Sequence, residues 1–422
     1  MHDTPLWFPY TQMRTRPEYP KVVSAQGVYL HLDDGRRLID AIASWWCVIH
    51  GYTHPELNQA VRDQLDRMAH VMLGGLVHQG AIDLARKLVE ITPQGLDHVF
   101  FGDSGSVGVE IALKMAAQCW ANRGRPGKSR FVAFRGAYHG DTTGCMSVCD
   151  PEEGMHRLFA GLVPRQFFVD GPQRCRHDRQ PTPQDIEADI EPLGQFLAAH
   201  ADEIAAVIIE PLLQAAGGFR MHHGAYLRAV RALCDRHDVL LIFDEVATGF
   251  GRTGARFAAD GAGVAPDILV LGKALTAGYL GHSATLATSD VYEAFLGDDE
   301  RTALMHGPTF MANPLACAVA LRSIEIFERD HYLERIGRIE ALLAEQLLPL
   351  RSPRIREARV LGACGVVETE SASDLKGVQQ FAIDRGVWLR PFGRYLYTMP
   401  PYVISDDELL QVVGTIREWF RP

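Results

Sequence analysis

The chain has 422 residues, 47% hydrophobic and 22% charged, with a formal net charge of −10, enough for a large core and two or three domains and too acidic for a nucleic-acid surface. No apolar run approaches the ~18 residues of a membrane span, and the start MHDTPLWFPYTQM lacks the basic and apolar regions of a signal peptide. Its eight cysteines are scattered without a framework, and the Cys145/Cys149 pair has no matching Cys/His pair to suggest a metal site, so we expect a cytoplasmic protein with reduced thiols and no metal.

In chain order, Asp34-Gly35-Arg36 reads as a β-turn joining two strands. Residues 55–70 and 78–92 have the spacing of amphipathic helices. VFFGDSGSVGVEIALKMAAQCW reads as strand, tight turn and helix, and RFVAFRGAYHG, AAVIIEP, VLLIFDE and DILVLGKA come after it as successive strand ends. Residues 170–185, rich in Pro and Arg, are expected to form a surface excursion. NPLACAVALRSIEIFERDHYLERIGRIEALLAEQLLPL is strongly helical and predicts a link between two domains. Beyond it, VLGACGVVETE and VWLRPFGRYLYTMPP read as strands of the smaller one. The βαβ rhythm predicts an α/β fold with a mostly parallel sheet flanked by helices. The domain boundaries expected are 1–50 for an N-terminal segment joining the small domain, 51–315 for the large domain and 316–422 for the small C-terminal domain, which is also α/β.

Asp244 and Lys273 carry the chemistry. Each ends a short apolar run, Val239 to Phe243 before the acid and Ile268 to Gly272 before the amine. Such runs read as buried parallel strands, and ligands in open α/β sheets bind at strand carboxyl ends. A carboxylate and an ammonium brought to one buried rim are costly unless something uses them. A flat aldehyde with a basic ring nitrogen uses both: the lysine as nucleophile in a Schiff base, the aspartate as partner of the ring proton. That describes pyridoxal phosphate (PLP). Gly102 to Ser106, between a strand and a helix, offers N–H groups, a helix dipole and the Ser106 hydroxyl to a phosphate, although a Ser/Asp helix cap alone would look the same. Tyr138, in Tyr138-His139-Gly140-Asp141, is placed to cover one face of a planar ring, or simply to pack on the core. His139 and Asp141 are weak on their own. Adjacent strand residues face opposite ways, so only one of Asp244 and Glu245 can address the ring.

FDEVATGFGRTG, with PDILVLGKAL after it, resembles the class III (fold-type I) PLP-dependent aminotransferases, and the likeness runs from FPYTQM to LRPFG and MPPY, essentially the whole chain. The resemblance implies a seven-stranded type of sheet in the large domain, with the small domain built from both termini. It implies that Gly105 and Ser106 bind the phosphate, Tyr138 stacks on the ring, Asp244 pairs with the ring nitrogen and Lys273 binds the aldehyde. Gly307, Pro308 and Thr309 would reach the site of a neighbouring subunit, in a homodimer with shared sites. FPYTQM, SWWCVIHGYTHPELN, YHGDTTGCMSVCDP and MHGPTFMANPLACA point further, to the subgroup that uses S-adenosylmethionine as donor and 8-amino-7-oxononanoate as acceptor in biotin biosynthesis. Trp45 or Trp46 would then offer an aromatic face to the sulfonium or adenine, with Trp45 favoured, unless both are core residues. Arg390 would take the acceptor's carboxylate, unless an internal acid pairs with it. Tyr10 would touch both substrates, Asp141 would lie beside them, and Gly307 would allow a close approach. Arg252 and Glu210 stay open between pocket and structural roles. Two other readings stand: an ω-aminotransferase using lysine, ornithine or a diamine, and a PLP-binding regulatory module without turnover. Tyr279 to His282, after the lysine, and Cys364 depart from the subgroup pattern.

Overall fold

The computed structural model describes residues 5–152 and 154–421. Seven strands form the central sheet, in the order Leu96–Gly102, Ser283–Thr288, Ile268–Leu271, Leu240–Asp244, Ile204–Ile209, Arg130–Phe134 and Phe167–Val169. All run parallel except Ser283–Thr288, which is antiparallel to both its neighbours. Ile204–Ile209, Leu240–Asp244 and Ile268–Leu271 are buried at every position, because helices cover both faces; this is why their sequences are continuous apolar runs rather than alternating ones. The carboxyl ends of the parallel strands therefore share one rim, and they deliver Ser104 to Ser106, Tyr138, Glu210, Asp244 and Lys273 to it.

A second sheet joins the two ends of the chain. Val22–Gln26, Tyr29–Leu32 and Arg37–Asp40 form an antiparallel meander, with the predicted turn at Asp34-Gly35, and Val387–Trp388 pairs in parallel with Arg37–Asp40. Ile355–Leu361, Cys364–Thr369 and Tyr395–Thr398 make a third, antiparallel sheet.

One expectation changes and two gain detail. The first amphipathic helix is Pro55–Leu65 and does not reach residue 70. Leu65 and Met68 stay exposed, so its last turns find no apolar partner within the chain. The long helical stretch is two helices, Pro314–Arg329 and Tyr332–Leu347, broken at His331, whose φ is +52°. The break turns Tyr332 inward and buries it. Helix Pro314–Arg329 packs on Pro55–Leu65 and Gln79–Ile91, and the expected boundary at 315/316 falls inside it. Residues 170–185 lie mostly at the surface, as expected, and are pinned there. Cys175 is buried, and the N–H groups of Arg174 and Cys175 both donate to Asp189 Oδ2, at 2.8 and 2.7 Å.

All eight cysteines are free thiols, and among the described residues no helix is long and apolar enough to cross a membrane.

His50 ties the segment before helix Pro55–Leu65 to the two later helices, through Tyr332 Oη at 2.7 Å and Ser323 Oγ at 2.9 Å. Burial pushes its pKa down to about 3, and burial does the same to His222, to about 3, and to His282, to about 4. The unfolded chain takes up these protons near pH 6.5 and the folded chain does not, so this stability is fully present above about pH 6.5 and drains away as pH falls. At pH 5 each histidine should cost about 2 kcal/mol relative to neutral pH. His50→Gln should shrink the stability lost between pH 7 and pH 5 by about that amount, read as a smaller shift between urea-unfolding curves at the two pH values.

Candidate active site

The strand ends enclose a cavity of about 180 Å³, lined by Trp46, Ser104, Gly105, Ser106, Tyr138, His139, Gly140, Glu210, Asp244, Val246, Ala247 and Lys273. Helix Gly105–Asn122 starts at its wall, with Ser104 as cap: its side chain accepts from Val107 N. The first N–H groups of a helix have no intrahelical acceptor, so they face the cavity with the positive end of the dipole. A Cβ on Gly105 would lie 2.7 Å from Val246 Cγ1, so only glycine lets the helix start settle onto the cavity floor.

Asp244 is buried and held at both oxygens. Oδ2 meets His139 Nδ1 at 2.8 Å and Oδ1 accepts from Val246 N at 3.1 Å. His139 is itself buried, and its Nε2 has no hydrogen-bond partner among the described residues. Glu210, also buried, accepts from Tyr138 N at 3.1 Å and Ala215 N at 2.9 Å, and burial raises its pKa to about 7. Glu245 faces away from the cavity: it accepts from Ala258 N and Ala259 N and so anchors the start of helix Ala258–Ala262. The two adjacent acids thus divide as the strand geometry predicts. Lys273 Nζ lies 5.0 Å from the Trp46 ring and makes no hydrogen bond or ion pair among the described residues. Burial lowers its pKa from the ordinary lysine range, while Asp244 and then Glu210 pull it back up.

At the mouth, Asp141 gathers three donors. Tyr10 Oη donates to Oδ2 at 2.7 Å, and Tyr138 Oη and His156 Nε2 meet Oδ1 at 3.0 and 2.9 Å. These bonds, led by the one from His156, hold its carboxyl below the usual range against the opposing effect of burial. Burial and Asp141 push the Tyr10 hydroxyl up to about 12, so it remains a donor at any working pH. The Arg390 guanidinium lies 4.8 Å from the Trp45 ring, which in turn meets Tyr10 edge-on at 6.5 Å. Arg390 is half-buried rather than buried, and no carboxylate pairs with it among the described residues.

The tryptophan pair is split by an unusual backbone. Ala43, Ser44, Trp45 and Trp46 all have positive φ, from +46 to +77°, a left-handed turn that costs roughly 1–2 kcal/mol per residue. Buried Asp40 holds it, accepting from Ile42 N at 3.0 Å and Ser44 N at 2.8 Å. Trp46 points into the cavity toward Lys273 and Trp45 stands 40% exposed at the mouth.

Gly307, Pro308 and Thr309 do not line this cavity; Gly307 and Thr309 are exposed and Pro308 is partly so. Among the described residues buried Arg252 has no acid partner: Nη1 donates to Ala363 O and Pro400 O, and the guanidinium lies 4.7 Å from the Tyr402 ring. Asp40, His139 and His156 are the residues that sequence reasoning left out or ranked low. Only the HG after Tyr138 hinted at one of them.

The donor set fits pyridoxal phosphate. Helix N–H groups and Ser106 suit a phosphate, buried Asp244 suits a protonated ring nitrogen, Tyr138 offers an aromatic face, and Lys273 has an unengaged amine.

A family model described as aminotransferase class-III matches residues 11–420. The chain is 48% identical to a protein of Mycobacterium leprae, over 98% of this chain and 94% of that one. It is 46% identical to one of Corynebacterium glutamicum, over 96% and 94%. Both relatives are named adenosylmethionine-8-amino-7-oxononanoate aminotransferase. A crystal structure of an amine transaminase from an uncultivated Pseudomonas species, in its PLP-bound form, superposes with a TM-score of 0.93 at 32% identity, covering 99% of this chain and 98% of that one.

The loop before Tyr138 and the hairpin after Glu210 touch backbone to backbone: a Cβ on Gly217 would lie 1.4 Å from Gly136 O. Gly217→Ala must part these segments and move Tyr138, at a cost of about 1–3 kcal/mol. We expect a lower thermal midpoint together with weaker cofactor retention. Gly414→Ala, in a helix with nothing within 4 Å, should leave both unchanged or raise the midpoint.

Proposed function

This chain belongs to the class III aminotransferases, and we propose that it moves an amino group from S-adenosylmethionine to 8-amino-7-oxononanoate, giving 7,8-diaminononanoate for biotin synthesis. The observation that carries the choice of substrates is the 46–48% identity, over nearly the whole chain, to relatives named for that pair. The mouth supports it: a carboxylate at Asp141 and an unpaired guanidinium at Arg390 suit substrates that bear both a cation and a carboxylate. We place the enzyme in the cytoplasm.

When bound, pyridoxal phosphate supplies an electrophilic carbon and a ring that draws electrons from the substrate carbon. The chain's own residues do the rest. Ser106, Gly105 and the helix start hold the phosphate, Tyr138 covers one face of the ring, and Asp244, fixed by His139, keeps a proton at the ring nitrogen. Lys273 Nζ takes a proton from the substrate carbon and returns it to the cofactor carbon; a lowered pKa leaves more of its amine free to act as base. Trp46 flanks that amine and excludes water beside it. The donor and the acceptor use this one pocket in turn, in a ping-pong sequence. Trp45 and Tyr10 meet both substrates at the mouth, and Arg390 takes the acceptor's carboxylate.

We also assign a homodimer. Gly307, Pro308 and Thr309 would complete the partner's site, since they stand away from the cavity of their own chain. Exposed Met68, Met72, Leu76, Val77, Met305 and Phe310 offer the apolar surface such an interface needs.

Two measurements test this reading. Lys273→Ala should lower turnover by about 10²–10⁴-fold or more, and borohydride reduction should leave a pyridoxyl mass on the Lys273 peptide of the parent protein and none on the variant's. Incubation with S-adenosylmethionine, lysine, ornithine and a diamine in turn should give transfer to 8-amino-7-oxononanoate with the first. Transfer with lysine or a diamine but not with S-adenosylmethionine would replace this reading with an ω-aminotransferase, which the amine transaminase fold already accommodates.

A further inference from the structure

His156 lies outside every motif used so far, in the loop between Cys149 and strand Phe167–Val169, yet only 8% of it is exposed. Its ring stacks on Tyr138, with centroids 5.9 Å apart and planes at 28°. Its Nε2 meets Asp141 Oδ1 at 2.9 Å, the oxygen that also accepts from Tyr138 Oη. Its Nδ1 is buried without a hydrogen-bond partner among the described residues, and a carboxylate can only accept, so the geometry assigns the hydrogen to Nε2. Asp141 needs such a partner. Its side chain is 55% exposed, so water competes for both oxygens, and Tyr10 reaches it from an N-terminal segment whose tyrosine is itself 55% exposed. His156 approaches from the protected side. Its carbonyl accepts from Phe159 N at 2.8 Å, which fixes the loop behind it. Asp141 N–H donates to Ser106 Oγ at 3.1 Å, so the carboxylate that His156 orients also belongs to the phosphate end of the site.

We propose that His156 is a positioning residue that locks the Asp141 carboxylate and the Tyr138 ring into one rigid unit at the mouth of the pocket, and so sets the affinity for the amine substrate. The inference rests on the proposed function, in which Asp141 and Tyr138 face substrate. Without the Nε2–H donor, Asp141 rotates toward solvent, Tyr138 Oη and Tyr10 Oη lose their common acceptor, and substrate meets a looser mouth. The chemistry at Lys273, deeper in the cavity, is unchanged.

A double-mutant cycle separates this role from simple anchoring of the loop. His156→Phe keeps the stack and removes the donor; His156→Gln keeps a donor and removes the ring; His156→Ala stands in if phenylalanine does not fit. KM and kcat are measured with whichever amine the wild-type enzyme uses, and thermal midpoints alongside. Losing a hydrogen bond to a charged group should raise KM for the amine by about ten- to thirtyfold in His156→Phe, with kcat within about threefold. His156→Gln should recover KM to within about threefold of wild type. In an Asp141→Asn background, His156→Phe should add no more than about twofold. A crystal structure of His156→Phe should show the Asp141 carboxylate parted from Tyr138 Oη. The proposal falls if His156→Phe leaves KM within about twofold of wild type, or if its full effect persists in Asp141→Asn. Failure of S-adenosylmethionine as donor would sink the substrate assignment alone, because the same cycle run with lysine still decides His156.

Discussion

Everything in this fold serves the confinement of one amine among acids. Lys273, Asp244 and Glu210 line one cavity at the sheet rim, and among the described residues the amine makes no hydrogen bond. Bringing such groups out of water costs several kcal/mol per ion unless they are paired. Asp244 and Glu210 are each given two hydrogen bonds, while Lys273 is given none. That asymmetry is the informative part. A structural lysine in this chain looks different: buried Lys128 donates to Ala201 O and Asp238 O and lies 4.2 Å from the Trp120 ring. Among the described residues Lys273 has no such partner, which is the arrangement that its proposed role as a reactive amine requires.

The same economy governs the backbone. Tyr10, Trp45, Trp46 and Lys273, all assigned to substrate or cofactor, each have positive φ, where a non-glycine residue is strained. Strain of this kind persists only where surrounding structure over-determines it. For the tryptophans, that structure is Asp40, buried at the end of strand Arg37–Asp40, which in turn pairs with Val387–Trp388 just before Arg390. The sheet joining the two chain ends thus positions Trp45 and Trp46 from one strand and Arg390 from the next. One short ladder, Val387 on Ile39 and Trp388 on Asp40, aligns aromatic and cationic sides of the mouth.

How much of this was legible in the sequence depends on the range of the interactions. Asp244 and Lys273 announced themselves because each local run is apolar and each ends in a charge, which is decided within six residues. The helix opening at Gly105 was legible for the same reason. The partnership of His139 with Asp244 spans 105 residues, and nothing local distinguishes that histidine from a loop residue. His156 is more hidden still, since its meaning lies in an acceptor and a ring supplied by another loop. The left-handed turn was invisible because Ala-Ser-Trp-Trp contains no glycine; a tertiary hydrogen-bond acceptor overrides what those side chains prefer. The break at His331 has the same character. Helical periodicity runs straight through it, and only the need to bury Tyr332 against His50 shows where the chain must turn.

A pocket that serves two substrates in turn must recognise both without holding either too well. Here the reactive depth and the selective mouth are separate. In the depth, Asp244 and Glu210 are buried and held by hydrogen bonds, and Lys273 is partly buried beside them. At the mouth, Tyr10, Trp45 and Asp141 are 40% exposed or more, and opposite charges are offered by different elements: Asp141 after strand Arg130–Phe134, Arg390 after Val387–Trp388. Exposed charge pairs contribute little when left free to move. A partly solvated carboxylate can therefore discriminate only if its orientation is fixed in advance, since binding energy spent on ordering it is lost to affinity. Tyr10 cannot provide that order from an exposed arm. Tyr138 cannot provide it alone, because the proposed role of its ring is to cover the cofactor. The burden falls on the buried side of Asp141, where the chain has placed a histidine whose other nitrogen has no hydrogen-bond partner among the described residues.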